Sequence, residues 1–352
     1  MDSLSQIVLG GAVAAAIAPR GHRRAALLAG AGLGTLPDLD SLPLALSGVD
    51  PVMRMTLHRG VSHSLFVLPL VGTLIWWLCL RFGRGRVAQA PARWWWAIVL
   101  ALVTHPLLDA FTVYGTQVWW PLAVTPAVWG GVFIIDPLYT LPLLVGCAVA
   151  WWARARPAAQ KALLAGLMVS TAYLGWSLLA KEMVEQRARQ DLADAGIGDV
   201  RLMAAAQPFT TLLWRVIAVD TEGYLIADRS LWADRGPMRF TRHPSDRAAL
   251  AANAHLPAVQ RLAWFNGGFL RARVIDRTLV VSDLRMGLEP DYTFNFAVAR
   301  QRDGQWQAIV PEQIRPDYRS PEARAEVRQR FAALWHRIWT PAPVLAAPVI
   351  DQ

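Results

Sequence analysis

Six apolar runs lie within the first 180 residues, and short loops separate them. The runs cover residues 4–18, 25–37, 62–80, 94–113, 131–152 and 161–180. The last four approach the ~20 residues that a helix needs to cross a hydrocarbon core of ~30 Å. The first two are shorter and rich in glycine and alanine, which predicts a tight helical hairpin because small residues let backbones approach closely. Residues 1–180 are therefore predicted to form a membrane-embedded bundle of about six helices.

The rest of the chain has a different character. Only 17% of the 352 residues are charged and the mean hydropathy is +0.29, which argues against an ordinary cytosolic enzyme. Residues 181–200 are rich in charge and predict a helical linker, and residues 201–352 predict a small soluble α+β domain. Its expected strands, rich in β-branched and aromatic residues, and its one amphipathic helix lie at 212–219, 223–227, 278–281, 294–299 and 321–339.

The net charge of +9 is better explained by membrane topology than by binding to nucleic acid. Basic residues concentrate in every second connection between the apolar runs, which the positive-inside rule places in the cytoplasm. This places the N-terminus and residues 181–352 outside the cytoplasm, although Lys181, Arg187 and Arg189 argue weakly the other way. The expected location is a bacterial inner membrane. The basic residues that carry the argument are Arg20, Arg23, Arg24, Arg81, Arg84, Arg86, Arg93, Arg154, Arg156 and Lys161.

Polar residues interrupt or border the apolar runs at four places. Ionisable side chains at such positions are costly unless they are paired or bind something, so each is a functional candidate. In the predicted topology all four places fall at one membrane face, which points to a single site. The four clusters are Asp38 with Asp40; His58, Arg59, Ser62, His63 and Ser64; Thr104, His105 and Asp109; and Asp136.

Histidine and aspartate side chains gathered on one rim are typical of a metal centre. The ligands predicted for one or two divalent ions are His58, His63, His105, Asp109, Asp38 and Asp40. Zn is the favoured metal, with Mn and Fe as the other options. Arg59 is placed to bind a phosphate, and Asp40 is expected to act in catalysis as well as in metal binding. Side chains expected to orient the ligands are Ser62, Ser64, Thr104 and Asp136.

Several of these residues also have a purely structural interpretation, and His58 would fit an ordinary loop histidine. Asp38 and Asp40 are typical turn and N-cap residues at the end of a hairpin. Ser62 suits the N-cap of the third apolar run, and Asp136 suits the N-cap of the fifth. His105 and Asp109 share one helix face and would also fit a hydrogen-bonded pair between helices.

The quoted clusters resemble the YdjM-type membrane-bound metal-dependent hydrolases over residues 1 to about 150. The shared elements occur in the same order: Met1-Asp2-Ser3-Leu4-Ser5-Gln6, Pro37-Asp38-Leu39-Asp40, His58-Arg59-Gly60-Val61-Ser62-His63-Ser64 and Thr104-His105-Pro106-Leu107-Leu108-Asp109. Many members carry Thr-His where this chain has Ser5-Gln6, and Gln6 is a poor metal ligand that can still hydrogen-bond near the site. The resemblance implies an inner-membrane metal-dependent hydrolase and, more remotely, similarity to zinc-dependent phospholipases C and nucleases.

The sequence therefore predicts a hydrolase whose metal site faces the outer leaflet. A metal-activated water would attack a phosphoester of a membrane lipid or lipid-linked substrate, with Arg59 stabilising the developing charge. Two alternatives remain open at this stage. The same histidines and aspartates would serve a transporter as an ion or proton relay. They would also serve a structural protein as a metal staple, in which four protein ligands saturate the ion.

Overall fold

The computed structural model describes residues 1–83, 85–198, 200–316, 320–342 and 349–351, so Arg84 of the basic loops lies outside the described residues. The chain divides into two compact units. The first comprises Met1–Gly48 and Leu57–Ser177, and the second comprises Val49–Thr56 and Leu178–Gln352. The first unit is helical and the second is rich in β-sheet, as the sequence predicts.

The helices are numbered here in chain order. They are α1 Ser3–Ile17, α2 Arg23–Thr35, α3 Ser41–Leu46, α4 Pro51–Leu57, α5 Val67–Phe82, α6 Arg86–Gln89, α7 Pro91–Ala110, α8 Pro137–Ala153, α9 Pro157–Asp194, α10 Arg247–Ala252, α11 Pro257–Phe265 and α12 Pro321–Trp339. Three short 3₁₀ turns separate some of them, at Arg20–His22, Leu36–Asp40 and Val61–His63.

Each of the six apolar runs coincides largely with a helix, but six membrane-crossing helices are not supported. Among the described residues, α9 alone is long and apolar enough to cross a membrane by itself. A second candidate exists if the bent pair Pro51–His63 and Val67–Phe82, with 55° between its halves, counts as one span. Helices α1 and α2 have 15 and 13 residues, about 20 Å at 1.5 Å per residue, which is short of a ~30 Å hydrocarbon core.

The third apolar run was expected to be helical from residue 62, and that boundary is wrong. Residues Val61–His63 form a 3₁₀ turn, and the helix begins only at Val67. The N-cap position of α5 is Phe66, not Ser62. In the turn before the helix, Ser64 Oγ accepts hydrogen bonds from the backbone N–H groups of Phe66 and Val67 at 3.1 and 3.3 Å.

The core of the first unit lies between α1, α2, α7, α8 and the start of α9. Helices α1 and α2 form the expected tight hairpin around three glycines. A Cβ atom added to Gly30 would lie 2.2 Å from the carbonyl oxygen of Gly10, and one added to Gly34 would lie 2.3 Å from that of Gln6. Only glycine permits this separation, so the hairpin holds the end of α2 directly against α1.

The second unit contains three sheets. The strands are β1 Arg201–Ala206, β2 Leu213–Val219, β3 Gly223–Ser230, β4 Arg239–Pro244, β5 Leu270–Ile275, β6 Thr278–Asp283, β7 Gly287–Leu288, β8 Asp291–Tyr292, β9 Asn295–Arg302, β10 Gln305–Ile314 and β11 Val349–Asp351. Their orders are β1-β2-β3-β4-β11, β10-β9-β6-β5 and β7-β8. Neighbouring strands are antiparallel, except that β11 runs parallel to β4.

The predicted strands coincide with β2, β3, β6 and β9, and the predicted amphipathic helix coincides with α12. The charged segment after residue 180 is the continuation of α9. Its Ala180, Val184, Ala188 and Leu192 pack against apolar side chains of the five-stranded sheet. Helix α4 belongs largely to this second unit, where Arg261 of α11 donates a hydrogen bond from Nε to Thr56 Oγ1 at 2.8 Å.

Candidate metal centre

Four ionisable side chains converge inside the helical unit, and we call them the four-donor cluster: Asp38, His63, His105 and Asp109. The 3₁₀ turn after α2 supplies the first and the 3₁₀ turn before α5 supplies the second. The other two lie one helical turn apart on α7, as their i, i+4 spacing requires. Three of the side chains are fully buried, and that of Asp38 is 26% exposed.

Five distances between the donor atoms lie between 3.1 and 3.5 Å, close to those around a tetrahedral ion. His63 Nε2 lies 3.1 Å from His105 Nε2, 3.4 Å from Asp38 Oδ1 and 3.2 Å from Asp109 Oδ2. His105 Nε2 lies 3.5 Å from each of the same two oxygens. Bonds of about 2.0–2.2 Å in a tetrahedral site would separate ligand atoms by about 3.3–3.6 Å.

The outer hydrogen bonds of both histidines fix which ring nitrogen faces the cluster. His105 Nδ1 lies 2.6 Å from the carbonyl oxygen of Gly34, which only accepts, so Nδ1 carries the proton. His63 Nδ1 lies 2.9 Å from Ser62 Oγ, whose own proton goes to Asp40 Oδ2 at 2.6 Å, so this Nδ1 also donates. In the neutral rings both Nε2 lone pairs therefore point into the cluster, as metal ligation requires.

Hydrogen bonds to Oδ1 of Asp109 orient its side chain so that Oδ2 faces the other donors of the cluster. Gln6 Nε2 donates to its Oδ1 at 3.0 Å and also to the backbone oxygen of His105 at 3.2 Å. The amino group of Met1 contacts the same Oδ1. Asp109 Oδ2 is buried and has no aligned hydrogen bond. Asp38 Oδ1 is likewise buried without a hydrogen bond. Two buried, unsatisfied carboxylate oxygens facing two imidazole lone pairs fit a divalent cation.

His58 and Asp40 lie beside the cluster and are bonded to each other. His58 Nδ1 is 2.7 Å from Asp40 Oδ1, while Asp40 Oδ2 accepts from Ser62 Oγ and from the backbone N–H of Arg59 at 3.1 Å. Burial opposes ionisation of Asp40, but the hydrogen bonds from His58 and Ser62 hold the pKa of its carboxyl below the ordinary value. Asp40 thus orients His63 through Ser62. Neither His58 nor Asp40 is one of the four donors.

Burial likewise opposes ionisation of Asp38. When the imidazoles of His105 and His63 are protonated, their hydrogen bonds outweigh that effect and hold the pKa of its carboxyl well below the ordinary value. Asp38 therefore lies in the cluster as a carboxylate, the form that binds metal.

Arg59 places a positive charge directly against the cluster. Its Nε lies 3.0 Å from Asp109 Oδ2, its Nη1 donates to Thr112 Oγ1 at 3.3 Å, and its guanidinium carbon lies 4.9 Å from the centre of the Tyr114 ring. The residue is buried, with φ at +61°, a left-handed conformation that costs a non-glycine residue of order 1 kcal/mol. The hydrogen bond from its N–H to Asp40 helps to hold that conformation.

Three residues expected to orient ligands have their described hydrogen bonds elsewhere. Ser64 Oγ donates to the backbone oxygen of Trp120 at 2.6 Å. Thr104 Oγ1 donates to the carbonyl oxygen of Leu100, one turn back in α7, at 2.8 Å. Asp136 caps α8, accepting from Leu138 N and from the Tyr173 hydroxyl. Thr104 bonds a carbonyl of its own helix and Asp136 accepts from a first-turn N–H of α8, as short polar side chains in and beside helices commonly do.

Sequence reasoning missed the carbonyl of Gly34, the hydroxyl of Thr112 and the ring of Tyr114. A backbone oxygen leaves no trace in a motif. The available signal was the spacing of Gly30 and Gly34, which marks the close contact between α1 and α2 that brings this carbonyl to His105. Thr112 and Tyr114 follow Asp109 by three and five residues, so a search downstream of Asp109 would have included them.

The helical unit and its buried cluster define a class of membrane protein with a candidate metal centre. The chain belongs to the YdjM inner membrane protein family, whose model matches residues 1–184, and this confirms the resemblance seen in the motifs. It is also similar to the inner membrane protein YbcI of Escherichia coli strain K12, with 37% identity over 97 residues, 27% of this chain and 51% of the relative. The chain thus spans about half the length of that curated relative. No solved structure matches the chain.

Proposed function

We propose that the chain is a metal-dependent hydrolase of the bacterial inner membrane that cleaves a phosphoester of a lipid or lipid-linked substrate. The observation that carries the proposal is the convergence of four donor atoms within 4.8 Å of one another, two of them buried carboxylate oxygens without a hydrogen bond. Two imidazoles and two carboxylates favour Zn, with Mn and Fe as the alternatives. The cluster accounts for one ion, since His58 and Asp40 are bonded to each other.

A divalent ion in such a site supplies Lewis acidity, which polarises a phosphoryl oxygen and activates water as a nucleophile. The residues around it have separate tasks. Arg59 offsets negative charge that develops on the phosphoryl oxygens. Asp40 fixes the His58 ring through Nδ1, and the partly exposed His58 exchanges a proton at its Nε2. Gln6 and Ser62 keep the ligands of the four-donor cluster in position.

The arginine-rich loops support a multi-pass topology with the cluster at the outer face and the C-terminal domain outside the cytoplasm. Val310 is well exposed in that domain, and a cysteine placed there tests the orientation once Cys79 and Cys147 are changed to serine. We expect a membrane-impermeant maleimide to label Val310→Cys in intact spheroplasts. Labelling only after permeabilisation would contradict the orientation.

The hydrolase proposal is tested with purified protein in proteoliposomes of bacterial phospholipids, by following release of phosphate-bearing headgroups. We expect His63→Ala and Asp109→Ala to lower turnover by at least two orders of magnitude, because each removes a donor atom. Thr104→Val is the matched control on α7, since its hydroxyl bonds its own helix. Full activity of His63→Ala would overturn the assignment.

A structural metal site is the second candidate, because four protein donors suffice to close a tetrahedral ion. The alternatives differ in coordination number. Cobalt substituted into the site gives an intense tetrahedral visible spectrum in either case. Only a site whose coordination can open changes that spectrum when inorganic phosphate is added. An unchanged spectrum favours the structural role.

A further inference from the structure

Exposed apolar side chains lie on the segments that carry Asp38 and His63 and on a segment bonded to them, and we call them the apolar collar. The entrance lies beside Asp38 and His58, whose side chains are about one quarter exposed. The collar side chains are all more than one third exposed. They are Leu36, Leu39, Leu42, Leu46, Val61, Phe66, Trp119, Trp120 and Leu122.

The collar is assembled from three segments, of which the second contacts both the first and the third. The Leu36–Asp40 turn and α3 form the first, and Asp40 bonds to the second, which runs from Arg59 to Phe66. The third runs over residues 117–122. Leu65 N donates to the carbonyl of Val118 at 2.9 Å, and the ring of Phe66 lies 6.2 Å from that of Trp119.

These segments lack the charges that a water-facing surface carries. Residues 41–49, 60–80 and 110–135 contain no Asp, Glu, Lys or Arg. In α3, none of the six side chains is buried, and Leu42 and Leu46 are 61% and 88% exposed. Large contiguous apolar patches on a protein mark a contact with membrane or protein.

The collar continues into the exposed face of α5. Phe66 is followed at helical spacing by Leu70, Leu74 and Trp77, which are each about half exposed or more. Helix α5 is part of the bent pair that qualifies as a candidate membrane span. A surface continuous with a membrane-spanning face meets the same acyl chains, and the two tryptophans suit the depth of the headgroups.

We infer that the aliphatic and phenylalanine side chains of the collar lie in the acyl-chain region of the bilayer, and that its two tryptophans and the entrance of the cluster lie at headgroup depth. The ligand class this admits is a lipid whose phosphate reaches the cluster sideways from the leaflet while its chains stay on the collar. This step rests on the proposed function for its chemistry and on the exposed side chains for its geometry.

The test uses the full chain with Cys79 and Cys147 changed to serine, in nanodiscs of phosphatidylethanolamine and phosphatidylglycerol. Nitroxide labels at Leu46→Cys, Phe66→Cys and Leu122→Cys report accessibility to oxygen, which partitions into the bilayer, and to a water-soluble nickel chelate. The exposed Val310→Cys in β10 serves as the control. We expect oxygen to relax the three collar labels several-fold more effectively than nickel, with the reverse at Val310.

Two results would overturn the inference. Nickel accessibility at the collar equal to that at Val310 would place the collar in water. Dipolar coupling between labels at the same position would show that a second copy of the chain covers it. The hydrolase proposal is tested separately. Labels in the bilayer without lipid hydrolysis would support the collar and refute the hydrolase. Hydrolysis with water-exposed labels would support the hydrolase and refute the collar.

Discussion

His63 Nε2 and His105 Nε2 face each other across 3.1 Å, while both Nδ1 atoms donate away from the cluster to Ser62 and Gly34. Two neutral rings arranged in this way would repel through their lone pairs. A positive charge between them removes the repulsion, and either a metal ion or a shared proton would supply it. A metal ion would bind both rings together with Asp38 Oδ1 and Asp109 Oδ2, and this is why we propose a metal centre rather than a proton relay.

Metal content should depend on these two rings. We expect about one equivalent of Zn, Mn or Fe in protein purified in mild detergent, and less than a tenth of that in His63→Ala, by elemental analysis. Thr104→Val should keep the wild-type content, because its hydroxyl bonds only its own helix among the contacts described here. Wild-type protein that stays free of metal after incubation with all three ions would leave the transporter or proton-handling alternative as the better explanation.

His58 and His63 should behave differently despite lying five residues apart. We expect His58→Ala to retain the bound metal but lose turnover, because its described hydrogen bond goes to Asp40 and not to the cluster. Asp40→Ala should weaken metal affinity about 10- to 100-fold, since it removes the acceptor that orients Ser62 and, through it, His63. Competition with a calibrated chelator measures both constants. Equal loss of metal in His58→Ala and His63→Ala would make His58 a ligand after all.

That these residues form one site was predictable from the sequence, because charged and histidine side chains are rare inside apolar runs. His105 and Asp109 share a helix face by spacing alone, and the structure places both in the cluster. That His63 belongs to the cluster and His58 does not was not predictable, since both lie near the start of the same helix. The difference depends on a 3₁₀ turn and on which histidine bonds to Asp40, and local composition shows neither.

The fold shows the same limits. The positions of the apolar runs located the helices. The number of membrane spans was not predictable from them, because α5 and α8, with 16 and 17 residues, are shorter than their runs, and α9, with 38, is longer. Arg23 illustrates a second limit. Counted as a topology signal, it is in fact buried and donates to the carbonyl oxygens of Arg154 and Arg156 at the end of α8, at 2.7 and 3.1 Å. Charge position alone cannot separate these two uses of an arginine.

Asp234 should make the stability of the C-terminal domain dependent on acid. Burial opposes its ionisation, but hydrogen bonds from Arg337 and from the N–H groups of Ala342 and Ser230 hold the pKa of its carboxyl below the ordinary value. A lowered folded pKa means that the contribution is complete above the unfolded pKa of about 3.9 and is lost as the pH falls through the folded value. We expect Asp234→Ala to cost about 3–5 kcal/mol at pH 7.

That cost should shrink below about pH 4, as the wild-type carboxylate itself becomes protonated. Urea unfolding of the full chain in detergent at pH 7 and at pH 3 measures the difference. Glu312→Ala, at an exposed position in β10, should change the midpoint little at either pH. A cost for Asp234→Ala that is the same at both pH values would show that the carboxylate charge contributes nothing.

Gly34 and Gly32 offer a matched pair on α2. A Cβ at Gly34 would lie 2.3 Å from the carbonyl oxygen of Gln6, whereas one at Gly32 meets nothing within 4 Å. Gly34→Ala should therefore push α2 away from α1 and displace the carbonyl that holds His105. We expect it to lower stability by about 1–3 kcal/mol and to reduce metal content as well. Gly32→Ala should be neutral or slightly stabilising, because alanine is the better helix former.

Thermal unfolding and elemental analysis of both variants provide the comparison. Equal metal content and melting temperature in the two would show that the close approach of α1 and α2 does not position His105.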